Sequence, residues 1–382
     1  MNKIDEVLTR GVAQILPTKD GLANLMTKKK ITLYQGFDPT APSLHIGHFI
    51  GIRKLAQFQK LGHKVIFLIG DFTGLIGDPT DKTATRKVQT RKEVLNNLKD
   101  YKKQVEKVID FEGENAAKIK FNSEWLAKLT FEDLIEIASH FTVQQMIERD
   151  MFQERIQNQK PIYLHEFFYP LMQGYDSVAM EVDLEVGGND QLFNMMAGRN
   201  LVKDVKGKDK YVLSMKLLTD EAGKKMGKTE GNAIFLSQTS AEIFRIITNW
   251  PDSFIPMGVE LLTDLEIGSL DKRDPMEAKK ILAYEVIKQI KGKEEADNAR
   301  SSFEKYEEKG FPKIPTYIVN YNPVFDLRGT VSAASGASGS QIKQLASSGA
   351  IVQNGKKVFD TSGEVNPGDE IRVGKNQFIK VK

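Results

Sequence analysis

Cysteine is absent from the 382 residues, which excludes disulfides, zinc ribbons and thiol catalysis and is compatible with a reducing compartment. Histidine is nearly as scarce, at five residues, so a metal centre built from clustered imidazoles has little to draw on. Long apolar runs are missing too, and no window reaches the length a membrane helix requires. The first thirty residues mix Asp5, Glu6 and Asp20 with lysines, a pattern that fits neither a signal peptide nor a transit peptide. A cytoplasmic protein is therefore the expectation. Charge of one sign is also lacking: 54 Lys and Arg against 51 Asp and Glu leave +3, so any RNA contact must come from local patches. What remains is an ordinary globular composition in a chain long enough for two or three domains.

Two of the five histidines fall together in His45-Ile46-Gly47-His48. Before them, Ile31, Leu33 and then Gly36-Phe37-Asp38-Pro39-Thr40 read as a strand ending in a turn. After them, Ile50, Leu55, Ala56, Phe58 and Leu61 carry a helical period, with Lys54 and Lys60 expected outside it. A helix N-terminus offers unpaired N–H groups and partial positive charge to phosphates. Gly47 is expected to let a nucleotide approach the backbone. Zinc is a poor alternative, since no third ligand clusters with the two rings.

Strand-like runs at 31–36, 65–70, 119–121, 184–186 and 211–215 alternate with helix-like runs, as a parallel, doubly wound α/β sheet of Rossmann-like type requires. One helix over 164–180 carries Leu164, Phe167, Phe168, Leu171, Met172 and Val178 on an apolar side, and Tyr169, Gln173 and Asp176 on another face. On spacing alone these three polar residues fit a half-buried helix face as well as a pocket. Beyond 228 the pattern turns helical, at 241–250, 276–291 and 294–309, and 310–315 reads as a linker. The last sixty residues form a small α/β module, with a helix at 341–346, a strand at 349–352 and an Asn354-Gly355 hairpin turn.

A second nucleotide signal is Lys224-Lys225-Met226-Gly227-Lys228-Thr229, a cationic loop suited to a departing pyrophosphate. It is not a Walker loop, because three residues rather than four separate Gly223 from Gly227 and no clear helix follows.

The tetrapeptide matches the HIGH signature of class I aminoacyl-tRNA synthetases, and Lys225 to Thr229 resembles their KMSKS signature, departing at Gly227 and Thr229 where the consensus has serines. The run from Thr32 to Leu44, Thr73-Gly74-Leu75-Ile76-Gly77-Asp78-Pro79, Tyr169-Pro170-Leu171-Met172-Gln173-Gly174-Tyr175-Asp176 and Gly187-Gly188-Asn189-Asp190-Gln191 resemble the bacterial-type tyrosyl-tRNA synthetases. The resemblance covers most of residues 30–235. It implies ATP as substrate with Mg²⁺ accompanying it, L-tyrosine and a tyrosine-accepting tRNA as partners, no dedicated protein metal site and a homodimer, with 141–151 in the contact region.

It also implies site roles. Asp176 accepts the tyrosine hydroxyl proton and Tyr34 hydrogen-bonds the same oxygen; Asp78, Tyr169 and Gln173 bind the α-ammonium, and Gln191 lies near the reacting carboxylate. Thr40 and His45 contact the triphosphate, His48 packs near the nucleotide ring, and Asp38 and Asp190 hold parts of the substrates. Gly36, Gly47, Gly188 and Met226 complete the ATP side, while Lys82, Arg86, Lys225 and Lys228, with Thr229, clamp the pyrophosphate. The expected domains are a catalytic domain at 1–230, a tRNA-contacting helical domain at 231–315 and an RNA-binding module at 322–382. In such modules the first helix usually carries several arginines, whereas 338–344 offers only Lys343; Lys356, Lys357 and Arg372 are the remaining candidates. The rivals are a tryptophan-specific relative, against which the Tyr34 and Asp176 pair argues, and an RNA-binding protein that kept the fold without catalysis.

Overall fold

The computed structural model describes residues 3–79, 90–219, 234–308, 317–335, 337–374 and 377–382. They form two compact units, one of Met1–Gln238, Pro251–Ala278 and Gln289–Gly292, the other of Thr239–Trp250, Lys279–Lys288 and Lys293–Lys382.

The first unit is built on a six-stranded sheet: β1 (Val12–Leu16), β2 (Thr32–Phe37), β3 (Lys64–Ile69), β4 (Lys118–Phe121), β5 (Leu184–Gly188) and β6 (Tyr211–Met215), in the order β1-β6-β5-β2-β3-β4. The pairs from β6 to β4 are parallel. β3 is buried at five consecutive positions, Val65 to Ile69, as a strand covered on both faces must be. The chain passes from β2 outward to β3 and β4 on one side and reaches β5 and β6 on the other. Strand order therefore reverses between β2 and β5, and the carboxyl ends of these strands open on the crevice where such sheets bind ligands. β1 was not expected from the sequence. It closes the edge antiparallel to β6 with an irregularity between Val12 and Gln14, so the sheet is mixed rather than wholly parallel. Its five residues lack a clean two-residue burial alternation, which is why the pattern did not disclose it.

The helix Ile46–Lys60 begins inside the tetrapeptide rather than after it, and Lys54 is not on its solvent side. Its side chain is buried, and Nζ donates to the carbonyls of Val7 at 2.7 Å and Arg10 at 3.0 Å. The long stem reaches backbone acceptors near the end of the helix Lys3–Val7, and burial pulls its pKa down to about 7. The expected helix over 164–180 opens as a 3₁₀ turn, Leu164–Phe167, before the α-helix Phe168–Met180. Leu164 is 71% exposed rather than on the packed side. The helix Phe254–Leu262 went unread because Pro256 and Gly258 interrupt its sequence signal.

His63, buried after that first long helix, accepts a hydrogen bond at Nδ1 from the Ile31 N–H at the foot of β2. Burial lowers its pKa from the ordinary 6.5 to about 4, with Lys30 acting the same way. The folded chain thus keeps it neutral where the unfolded chain would protonate it, so its stabilising contribution is present above pH 6.5 and is lost as pH falls toward 4. Urea unfolding at pH 7 and pH 4.5 should show a smaller acid loss for His63→Gln, whose amide oxygen can still accept, than for the parent.

In the second unit the helices Ser240–Thr248 and Lys293–Glu308 pack with Phe244 and Phe303 rings 5.1 Å apart. Its sheet comprises β7 (Tyr317–Val319), β8 (Ile351–Gln353), β9 (Lys356–Val358), β10 (Glu370–Val373) and β11 (Gln377–Val381), ordered β7-β11-β10-β8-β9. Asn354 and Gly355 both take positive φ, 48° and 81°, between β8 and β9, the turn that Asn-Gly favours. The helix Leu327–Ser335 precedes Gly339–Ser347. The expected helix at 341–346 is therefore the second of the module, and the first adds Arg328 to its cations. The expected linker at 310–315 lies outside the described residues.

Candidate active site

His45 is the N-cap of the helix Ile46–Lys60, with extended backbone, φ −124° and ψ 171°. Its Nδ1 accepts from the Gly47 N–H at 3.1 Å, and His48 Nδ1 accepts from the His45 N–H at 3.2 Å. Two imidazoles thus do what a Ser and Glu pair does in a capping box. Their rings stack at 3.7 Å, and His48 meets Phe37 edge-on. A neutral imidazole accepting at Nδ1 carries its hydrogen on Nε2, so each ring presents a donor suited to phosphate oxygen. Gly47 is explained by the cap itself, because a Cβ there would lie 3.0 Å from His45 Cε1. His45→Ala should cost about 1 kcal/mol of stability through the lost cap. His45→Asn, an equally good N-cap, should restore stability in urea titration without restoring any reaction step that needs the imidazole.

The segment after the lysine loop returns to this turn. Ile46 N–H donates to the Ile234 carbonyl and Leu236 N–H to the Leu44 carbonyl, both at 2.8 Å, around an antiparallel bridge between His45 and Phe235. Ile234 is the first described residue after 220–233. Lys82, Arg86, Lys225, Met226, Lys228 and Thr229 lie outside the described residues.

Thr40 turns away from β2 with its N–H on the Asp38 carbonyl at 2.8 Å. It lines a cavity of about 560 Å³ together with Ser43, Asn97, Phe235 and Ser237. Asn97 Nδ2 holds the Pro39 carbonyl at 2.8 Å and Tyr101 OH the Ala41 carbonyl at 2.7 Å, so the helices after residue 90 fix this loop. Gly36, at the exposed end of β2, leaves open space: a Cβ would meet only Leu68 Cδ2, at 3.9 Å. At Gly188 a Cβ would collide with the Asp190 carboxylate.

The other half of the site sits on the helix Phe168–Met180. It crosses the helix Leu192–Lys206 closely, since a Cβ at Gly174 would be 3.4 Å from Gly198 Cα. Its three polar residues each engage a different element. Tyr169 OH donates to Asp38 Oδ2 at 2.8 Å, and Gln173 Nε2 donates to Glu185 Oε1 at 3.0 Å. Asp176 accepts from Trp125 Nε1 at 2.7 Å and Asn122 Nδ2 at 3.3 Å. Thr73 links the first and third, donating to Asp38 Oδ1 at 2.7 Å and accepting from Asn122 Nδ2 at 3.0 Å. Tyr34, wholly buried, has its hydroxyl 2.8 Å from Ser177 Oγ. Gln191 Nε2 donates to Asp78 Oδ2 at 2.5 Å and Asn194 Nδ2 to Gln191 Oε1 at 3.0 Å.

Burial pushes the Asp176 carboxyl upward, against the Trp125 and Asn122 hydrogen bonds that pull it down. Burial also raises Tyr34, helped by Glu185 and Asp176, and raises Tyr169, helped by Asp38 and Asp78. Glu185 is paired with Lys210, which leaves Asp38 and Asp78 beside Tyr169 as the acidic groups that suit a cation such as an ammonium. Among the described residues no group of three or more His, Asp or Glu side chains is arranged to hold a metal ion.

The structure therefore brings together Tyr34, Asp38, Tyr169, Gln173 and Asp176, with Asp78 joined to Gln191. It adds Thr73, Asn122, Trp125, Ser177, Glu185 and Lys210, which sequence reasoning missed. Of these only Glu185 had a local signal, as a lone carboxylate in an apolar strand that must be paired if buried. Its partner is Lys210, which is equally buried.

Residues 26–306 match the family described as class I tRNA synthetases (W and Y), and the chain belongs to that family. It is 40% identical to the tyrosine–tRNA ligase of Carboxydothermus hydrogenoformans, over 98% of this chain and 97% of that one. To the tyrosine–tRNA ligase of Aquifex aeolicus it is 37% identical with the same coverage. Among solved structures, a C-terminally truncated mitochondrial tyrosyl-tRNA synthetase of Coccidioides posadasii superposes with a TM-score of 0.65 at 26% identity, over 78% of this chain and 91% of that one. The fold is shared with the tyrosyl-tRNA synthetase of Archaeoglobus fulgidus complexed with L-tyrosine, at a TM-score of 0.60 and 19% identity, over 78% of this chain and 98% of that one.

Proposed function

We propose that the chain is a tyrosine–tRNA ligase. A carboxylate oxygen of L-tyrosine attacks the α-phosphorus of ATP, the bond to pyrophosphate breaks, and tyrosyl-adenylate forms. The 2′- or 3′-hydroxyl of the terminal tRNA ribose then attacks the tyrosyl carbonyl, and AMP leaves. The observation that carries this reading is the wholly buried Tyr34 hydroxyl, 2.8 Å from Ser177 Oγ, with the neighbouring residue Asp176 buried and fixed by Trp125 and Asn122, beside the switch point between β2 and β5. A pocket that pairs a hydroxyl from two sides suits tyrosine and leaves an indole unsatisfied, which disfavours the tryptophan-specific reading. An RNA-binding protein without catalysis would have no need of the capped histidine turn.

The enzyme positions and neutralises and needs no covalent nucleophile. Tyr34 and Asp176 hold the substrate hydroxyl, Asp78, Tyr169 and Gln173 its ammonium, and Gln191 lies by the carboxylate. Thr40 and His45 contact the triphosphate, His48 packs near the nucleotide ring, Asp38 and Asp190 hold parts of the substrates, and Gly36, Gly47, Gly188 and Met226 complete the ATP side. Lys82, Arg86, Lys225 and Lys228, with Thr229, receive the pyrophosphate, and Mg²⁺ accompanies ATP. The pairing of 44–46 with 234–236 supports this, since the segment that follows the lysine loop in sequence meets the histidine turn.

The catalytic domain spans 1–230, a helical domain 231–315 and an RNA-binding module 322–382, in a cytoplasmic homodimer. Phe131, Ile135, Val143 and Leu164 support the dimer. They are 78, 59, 68 and 71% exposed, large apolar side chains of the kind a second copy would cover. Sedimentation should give twice the chain mass. Charging of tRNA with labelled amino acid tests the function: tyrosine should be incorporated and tryptophan not, and the reverse would overturn the assignment.

A further inference from the structure

Behind Tyr34 lies a buried polar group that the proposed reaction does not use. Ser177 Oγ sits 2.8 Å from the Tyr34 hydroxyl, accepts from Lys210 Nζ at 2.7 Å and donates to Glu185 Oε2 at 3.4 Å. Lys210 is ion-paired to Glu185, directs a third contact to the Met195 carbonyl at 3.4 Å and stands 5.9 Å from the centre of the Tyr34 ring. Glu185 also accepts from Gln173 and is the register neighbour of Tyr34 across β2 and β5. Ser177 and Lys210 are wholly buried, and Glu185 is 2% exposed. Such a pair is a costly way to fill a core, and apolar replacements of similar size are often at least as stable. Retaining it calls for a use.

The donors and acceptors supply one. An ammonium only donates, so Lys210 occupies one lone pair of Ser177 Oγ and leaves that hydroxyl one hydrogen to place. Sent to Glu185 Oε2 at 3.4 Å, that hydrogen leaves Ser177 to accept from Tyr34 at 2.8 Å, a contact in which either hydroxyl can donate. Turned to Tyr34 instead, it releases the phenol hydrogen to a substrate oxygen, while Lys210 keeps Glu185 paired and strengthens Ser177 as a donor. The network therefore lets Tyr34 donate to the pocket without stranding a buried carboxylate. Asp176, a carboxylate neighbouring Ser177 in the chain, supplies the complementary acceptor.

We propose that Ser177, Lys210 and Glu185 are positioning residues that turn the Tyr34 hydroxyl hydrogen to the substrate, so that the pocket offers one donor and one acceptor and thereby selects a phenol over a phenyl ring. The proposal rests on the tyrosine-activating function above. Its substrate-side consequence is that tyrosine binds with its oxygen accepting from Tyr34 and its hydrogen going to Asp176.

The test compares kcat/KM for tyrosine and for phenylalanine in pyrophosphate exchange by the full-length chain. Ser177→Ala should lower the tyrosine to phenylalanine ratio at least about tenfold, the scale of one lost buried hydrogen bond, through a raised KM for tyrosine with the KM for ATP unchanged. Lys210→Met combined with Glu185→Gln removes the ion pair without stranding a charge and leaves Gln173 an acceptor, so it should fold and lower the ratio likewise. Equal loss on both amino acids, or an unchanged ratio in both folded variants, would overturn the proposal. Absence of tyrosine-dependent exchange in the parent would instead overturn the function on which it rests.

Discussion

Asp176→Ala should remove the preference for tyrosine over phenylalanine and leave a protein that still folds, with reduced stability. The side chain is 3% exposed and its two oxygens are held by Trp125 and Asn122, so its position is set before substrate arrives. A site built to hydrogen-bond a hydroxyl rejects the analogue without it because buried partners are left unpaired, and for tyrosyl enzymes as a group that rejection is about 10⁵. Losing Asp176 should bring the ratio below about 10², with most of the change in tyrosine turnover and little in phenylalanine turnover. The Trp125 and Asn122 donors left behind cost about 1–3 kcal/mol each. Asp176→Asn keeps an oxygen for one of them and should lose less stability while still losing discrimination. Steady-state exchange with each amino acid, alongside urea titration, separates the two effects. A ratio that stays at the parent value would show that Asp176 does not meet the substrate hydroxyl.

The second large effect concerns the end of the chain. Removing residues 322–382 should leave adenylate formation within about twofold of the parent and lower tRNA charging roughly a hundredfold, the scale of avidity a tethered second binding module supplies. The segment has a core of its own, with Leu327, Val331, Ile342, Ile351, Ile371 and Val381 buried together. Its eight cations include Arg328, Lys343, Lys356, Lys357 and Arg372, so the charging defect should grow with salt as phosphate contacts do. Equal loss of both activities would mean that the module supports the catalytic unit rather than the RNA.

The parts of this molecule legible from its sequence are those whose cause is local. The histidine turn could be read because a strand, a glycine and a helical period stand next to one another, and Asn354-Gly355 because its turn needs only two residues. Tyr169, Gln173 and Asp176 share a face by arithmetic, yet their partners Asp38, Glu185 and Trp125 come from other elements, and no period discloses those. Lys54 shows the limit. Helical spacing put it toward solvent, whereas carbonyls some forty residues earlier in the chain took it inside. The Lys210 and Glu185 pair fails to announce itself for the same reason, since each looks unremarkable until β5 and β6 lie side by side. The use of imidazoles rather than Ser and Glu as a helix cap is a further device that standard capping patterns overlook.

The central claim is that the pocket between β2, β5 and the helix Phe168–Met180 commits a phenolic amino acid to attack on ATP. Exchange of labelled pyrophosphate into ATP, with folded full-length chain and one amino acid at a time, tests it most directly. Tyrosine should support exchange, tryptophan should not, and phenylalanine should do so only at a trace level. A folded protein that gives no exchange with tyrosine, or exchanges as well with tryptophan, would contradict the account.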